Sequence, residues 1–102
     1  MLEVLVLVKR ELDDNGNIKT ETRRDLFCKL SRIGQSEFYQ AQATELRPEL
    51  KFVIADYLDY DDEYLCIFND AWYKVIRTYR AGQNLELVVQ RASIEEIGDV
   101  HE

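Results

Sequence analysis

Apolar and polar positions alternate with a period of two along most of this chain, the spacing that turns one face of a half-buried strand inward. Residues 2 to 8, LEVLVLV, are so rich in aliphatic side chains that both faces of this strand are expected to be covered for part of its length; it should run to about Leu12. The DDNGNI that follows contains Asn15-Gly16, a pair suited to a tight hairpin turn of the primed type, so residues 18 to 24 should return beside the first strand. From Asp25, DLFCKLSRI sets Leu26, Cys28 and Leu30 on one face and Phe27, Lys29 and Ser31 on the other. ELKFVIADY likewise sets Leu50, Phe52 and Ile54 against Lys51, Val53 and Ala55. YLCIFNDAWYKVIRTYR reads as two strands joined at Asn69-Asp70, with Tyr64, Cys66 and Phe68 in the first and Trp72 to Arg80 in the second. Past Ala81-Gly82-Gln83-Asn84, LELVVQR turns Leu85, Leu87 and Val89 to one side as a last strand.

About six or seven strands with short turns predict a mainly β fold, a small antiparallel β-barrel or sandwich, rather than an alternating α/β chain. Residues 1–92 make up this domain, and residues 93–102 form an acidic C-terminal tail that is expected to take a short helical turn or to fray.

One stretch breaks the period. QSEFYQAQATELR, residues 35 to 47, has helical texture and is followed by Pro48. Ser36 is suited to the N-cap and Glu37 to the positive end of the helix dipole. Tyr39, Ala43 and Leu46 fall at i, i+4 and i+7 with Phe38 adjoining them, while Gln40, Gln42 and Glu45 lie elsewhere. Pro48 biases Arg47 away from helical geometry, so one short helix is predicted over about residues 36–46, inserted between strands. A helix of that length is marginal alone, and its apolar stripe must dock, either capping an open end of the barrel or facing a partner.

Composition narrows the function classes. A chain of 102 residues with 46% hydrophobic and 32% charged residues, one Pro and four Gly is that of an ordered globular domain. Its 20 acids against 13 bases, a net charge of −7, repel phosphates and weigh against nucleic acid as a partner. Arg23, Arg24, Arg77 and Arg80 alternate with acids and aromatics, as on a solvated strand face. The longest apolar run, Val4 to Val8, is too short to span a bilayer, and no leader precedes it, so synthesis in the cytoplasm and no membrane partner are expected. Cys28 and Cys66 stand alone in strand-like segments and read as buried, reduced thiols.

Catalytic and metal-binding patterns find little purchase. The single histidine, His101, is one residue from the end, which leaves no general base for a Ser/His or Cys/His pair. The acids Asp56, Asp59, Asp61, Asp62 and Glu63 lack the glycine and distal glutamate of a calcium loop, and read as a solvated hairpin loop. The glycines at 16, 34, 82 and 98 are too scattered for a phosphate loop. No cofactor, metal or enzyme activity is expected, and binding or assembly becomes the default class.

Phe27-Cys28, SEFYQA at 36–41, LRPEL at 46–50, IRTYR at 76–80 and LELVVQR at 85–91 occur in an order that resembles the head-tail adaptor, or head-closure, proteins of long-tailed bacteriophages and prophages. The likeness spans roughly residues 3 to 91. It implies a small β-barrel that assembles as a homo-oligomeric ring, dodecameric in such connectors and monomeric when isolated, below the portal and its associated adaptor protein. Such a ring closes the DNA-filled capsid in the virion and offers the attachment surface for tail or neck proteins; DNA passes through without being specifically bound. By the same resemblance, Ser36, Glu37, Phe38, Tyr39, Gln42, Leu46, Arg47, Pro48 and Glu49 form the segment that meets neighbouring subunits, the adaptor and the channel. Two positions depart from the pattern: many members carry a glycine near Asn69-Asp70 and a basic or glycine-containing loop where this chain has DYDDEY at 59–64.

An alternative reading is a small β-barrel module for single-stranded nucleic acid, with Tyr57, Tyr60, Tyr64 and Tyr79 as stacking platforms beside Arg77 and Arg80.

Overall fold

The computed structural model describes residues 2–35 and 46–98. Six strands, β1 (Glu3–Leu12), β2 (Ile18–Ser31), β3 (Leu50–Ile54), β4 (Leu65–Phe68), β5 (Ala71–Ala81) and β6 (Asn84–Arg91), form a closed antiparallel barrel in the order β1-β2-β3-β6-β5-β4. The predicted barrel is the fold observed. The described residues also contain a 3₁₀ turn at Tyr57–Asp59 and one short helix, α1, at Ile94–Ile97.

Alternation sorts the side chains as the sequence implies. Leu5, Leu7, Cys28, Phe52, Ile54, Cys66, Phe68, Leu85, Leu87 and Val89 point inward and fill the barrel, with Phe52 edge-on to Phe68 at 5.0 Å between ring centres. A six-stranded barrel is narrow enough for side chains to pack its interior. Val8 and Leu65 point outward, opposite each other, yet both are fully buried. The first strand is therefore covered on both faces over part of its length.

The outer cover comes from the C-terminal segment. Ser93 and Glu96 form a reciprocal capping box that starts α1, the Ala92 N–H donates to the Trp72 carbonyl, and Lys74 on β5 pairs with Glu96. Gly98 then lies beside Arg10 and Ile18 on the β1–β2 hairpin. Running from β5 to β1, this strap passes over β4 and β1 where Val8 and Leu65 sit. Its helical turn is the alternative foreseen for the tail, whose residues 99–102 lie outside the described set.

Three local expectations need correction. Segments 18–24 and 25–31 are not two strands but one 14-residue strand, β2, because Arg24 and Asp25 continue the β1 ladder opposite Leu7 and Val6. The Asn15-Gly16 turn is not primed: only Gly16 has positive φ, and the Asp13 carboxylate accepts from the N–H groups of Asn15 and Asn17 in a longer loop. Asn17 thus closes a turn that the side chain of Asp13 organises, which the Asn-Gly pair alone did not reveal. The helix predicted over 36–46 falls outside the described residues except for Leu46, which is not helical.

Asn69-Asp70 does form a primed turn, with φ of 52° and 65° at its two central residues, both in the left-handed region. Gly82 opens the last hairpin at φ 64°. Asp70→Gly should raise stability by about 0.5–1 kcal/mol, because glycine occupies this φ without strain. Chemical denaturation of the two proteins measures the difference; no gain would show that Asp70 holds the turn in some other way.

Candidate functional site

The two ends of the barrel are built differently. At the end reached by Leu12, Ile18 and Ile54, the connection from β3 to β4 folds across the opening as a lid. Asp56 caps the 3₁₀ turn by accepting from the Leu58 N–H, and also accepts from Gln83 Nε2. Tyr57 packs on the core with Arg80 stacked over its ring at 3.5 Å. The Tyr60 hydroxyl donates to the Glu63 carbonyl at 2.5 Å, and burial pushes its ionisation above the ordinary phenol range, with help from Asp62, Glu63 and Cys66.

Glu63 is the hinge pin of this lid. Its side chain is 3% exposed, and Oε2 accepts from Arg24 Nη2 at 2.8 Å and Nε at 3.3 Å while Oε1 accepts from the Asp61 N–H. Arg24 also donates to the Asp59 carbonyl at 2.6 Å. Farther out, Lys9 pairs with Asp61 at 2.5 Å, a contact that holds the Asp61 carboxyl below the usual carboxylate range and the Lys9 ammonium above its own. The acid run is therefore a folded lid rather than a simple solvated hairpin: Asp59, Asp61 and Asp62 face water, but Glu63 turns into the barrel to meet Arg24. A buried carboxylate persists only when its oxygens are occupied, and here both are.

The opposite end is where β2 leaves and β3 begins. A cleft opens there between residues 30–35 and Pro48–Leu50. The returning chain is pinned to β6: the Arg47 N–H donates to Gln90 Oε1, the Glu49 N–H to the Val89 carbonyl, and Glu49 Oε2 accepts from the Arg91 N–H, each at 2.8 Å. Of the expected interaction residues, Leu46 and Pro48 are partly buried, Arg47 and Glu49 are exposed, and Ser36, Glu37, Phe38, Tyr39 and Gln42 lie outside the described residues. Large apolar side chains are exposed at this end, as Leu12, Ile18 and Leu58 are at the other. Leu30 faces the barrel axis at 42% exposure, and Leu2, Val4 and Phe27 stand on the outer wall at 59, 46 and 67%. Val4 and Phe27 are direct cross-strand partners, so they form one patch.

Outside the barrel wall, Trp72 lies between two guanidinium groups, with Arg10 5.4 Å and Arg23 5.2 Å from its ring centre. Glu21 holds both arginines, accepting from each Nε at 2.9 Å. Partial burial alone would raise its carboxyl, but Arg10 and Arg23 outweigh that and keep it below the ordinary range. This cluster fixes Trp72 over the seam and was not apparent from sequence, because its members are distant in the chain and charged. Of the four candidate stacking tyrosines, Tyr57 and Tyr60 close the lid, and Tyr64 and Tyr79 are exposed. Among the described residues no histidine, cysteine and carboxylate group could hold a metal, and no helix is long and apolar enough to cross a membrane.

Cys28 and Cys66 are free and buried. Burial, with Glu3 adding to it, pushes the Cys28 thiol up to about 11; burial, with Cys28 adding to it, pushes Cys66 up to about 12. At neutral pH both should resist a thiol reagent in the folded protein and titrate fully in denaturant; rapid labelling of the native state would mean that the barrel wall opens.

No protein-family model matches the chain, and no curated protein matches it significantly.

The lid makes an asymmetric prediction. Arg24→Ala strips the buried Glu63 of its cation and should cost about 3 kcal/mol. Glu63→Ala leaves an Arg24 that is 41% exposed and can turn to water, so about 1 kcal/mol is expected. Urea melts of the two variants would check the order; equal losses would mean that Glu63 is not the strained partner.

Proposed function

We propose that this protein is a structural ring component of a phage or prophage head-tail connector, seated below the portal and its adaptor in the virion, where it closes the filled capsid and receives the tail. The observation that carries the reading is the construction of the β2–β3 end. Among the described residues, the six strands close a barrel around their own core, while the segment between β2 and β3 leaves and returns at one mouth, pinned on its return through Arg47 and Glu49 to β6. A segment whose two described ends, residues 32–35 and 46–49, both stand at one mouth can meet partners from that end.

The apolar side chains at the same end support the reading. In the Phe27-Cys28 pair of the resemblance, the cysteine serves the core and Phe27 projects from the wall beside Val4. Exposed apolar patches of this kind mark contact surfaces more often than idle ones. Net negative charge is compatible with a DNA passage, since walls without excess cations do not retain phosphates.

Mixed with an assembled portal–adaptor complex from the same phage, the purified protein should co-sediment as a ring. Phe38→Ala combined with Tyr39→Ala should weaken that co-sedimentation at least tenfold while leaving the thermal midpoint nearly unchanged. A stability loss of about 3 kcal/mol or more would instead assign these aromatics to the barrel interior, and a wild-type chain that never binds the complex would defeat the proposal.

A further inference from the structure

The strands of the barrel are unequal, and β2 is the longest. Its ladder with β1 runs from Ile18 to Cys28, but on its second edge β3 pairs only with Lys29–Ser31. Among the described residues, no other backbone bond reaches that edge. Residues 18–23 and Asp25 are all exposed. Alternate residues along such an edge direct N–H and C=O groups away from β1, leaving a template for another strand.

Charged side chains commonly protect open edges, and a run of one sign would do so here. The order along β2 is different. Alternation puts Glu21, Arg23 and Asp25 on the outer face, and Lys19 precedes them as the unpaired residue of a bulge between Ile18 and Thr20, so the charges along the edge read plus, minus, plus, minus. Turned antiparallel about Thr22, a second copy sets Lys19 opposite Asp25 and Glu21 opposite Arg23, each twice. Thr22 then meets Thr22. Sliding by two residues, the smallest shift that keeps both faces matched, brings Glu21 against Glu21 or Arg23 against Arg23. The ladder thus favours one register of itself and opposes the adjacent ones. Glu21 and Arg23 are already bonded within the chain, whereas Lys19 and Asp25 have no ion-pair partner among the described residues and are available to a second copy.

We infer that β2 offers its open edge to the same edge of a second copy, forming a two-fold antiparallel pairing centred on Thr22 that extends the two barrels into one sheet across the interface. This stands apart from the head-closure reading: a two-fold contact joins one patch to itself, whereas a ring joins two different patches.

Sedimentation velocity of the full chain across a concentration series tests the pairing. The wild type should show a monomer–dimer equilibrium that weakens as salt is raised. Lys19→Asp and Asp25→Lys each put like charges at two symmetric positions and should weaken the dimer by about tenfold. An equimolar mixture of the two variants regains opposite charges at both positions and should dimerise as the wild type does. Thr22→Cys should cross-link to itself under mild oxidation, since both native thiols are buried. Circular dichroism melts establish that each variant is folded. A wild type that stays monomeric at every concentration overturns the inference, as does a dimer indifferent to both reversals or a folded mixture that remains monomeric.

Discussion

The barrel closes through a seam only three residue pairs long, Val6 to Val8 of β1 against Leu65 to Ile67 of β4, and much of the structure answers to that shortness. Beyond the seam, β1 and β2 continue as a two-stranded arm and β5 runs on with β6, so the wall parts where it needs closing most. Three devices compensate. The lid crosses the gap from inside and is fixed by Glu63 to Arg24, with Lys9 and Asp61 tying its outer corner to β1. The strap crosses from outside and reaches the arm at Arg10 and Ile18. Trp72, set between Arg10 and Arg23, lies over the seam between them. Val8 and Leu65, two of the seam residues, are consequently buried though they face outward, and the seam is sealed by apolar contact as well as by hydrogen bonds.

What the sequence displayed was whatever depends on period and turn chemistry. Leu50, Phe52 and Ile54, or Leu85, Leu87 and Val89, announce their inward face because a strand has no other way to bury alternate aliphatics. The density of LEVLVLV revealed double coverage, although not that the C-terminal strap supplies it. Glu63 was hidden for a physical reason: at the end of an acidic run, one buried carboxylate looks like its solvated neighbours until Arg24, 39 positions away, is brought beside it. Arg10, Glu21, Arg23 and Trp72 were hidden likewise, since charge pairs carry no periodicity. Periodicity also divided β2 at Asp25, because alternation alone does not show the β1 ladder that carries Arg24 and Asp25 on as one strand.

The contrast between the two ends bears on function. At the lid end polar and charged groups are occupied with one another: Asp56 with Leu58 and Gln83, Glu63 with Arg24, Asp61 with Lys9. The mouth end satisfies its backbone through Arg47 and Glu49 but leaves Leu2, Val4, Phe27 and Leu30 in contact with water. The lid end also exposes Leu12, Ile18 and Leu58, so the two ends differ in their polar networks rather than in apolar exposure. Of the segment on which the resemblance concentrates, the described residues Leu46, Arg47, Pro48 and Glu49 return at the mouth end, beside the cleft lined by Leu30.

The open edge of β2 follows from the same geometry. β3 is five residues long, and the chain leaves the wall after Ile54 to begin the lid instead of continuing along β2. Covering the barrel end thus exposes a strand edge, and side chains are left to govern what that edge accepts. A uniformly charged face would repel every copy of itself, and an apolar one would pair in any register. Alternating signs do neither: they penalise neighbouring registers of β2 with itself while permitting one. The constraint that begins with a three-pair seam therefore ends in selectivity at an edge, with the lid as the physical link between them.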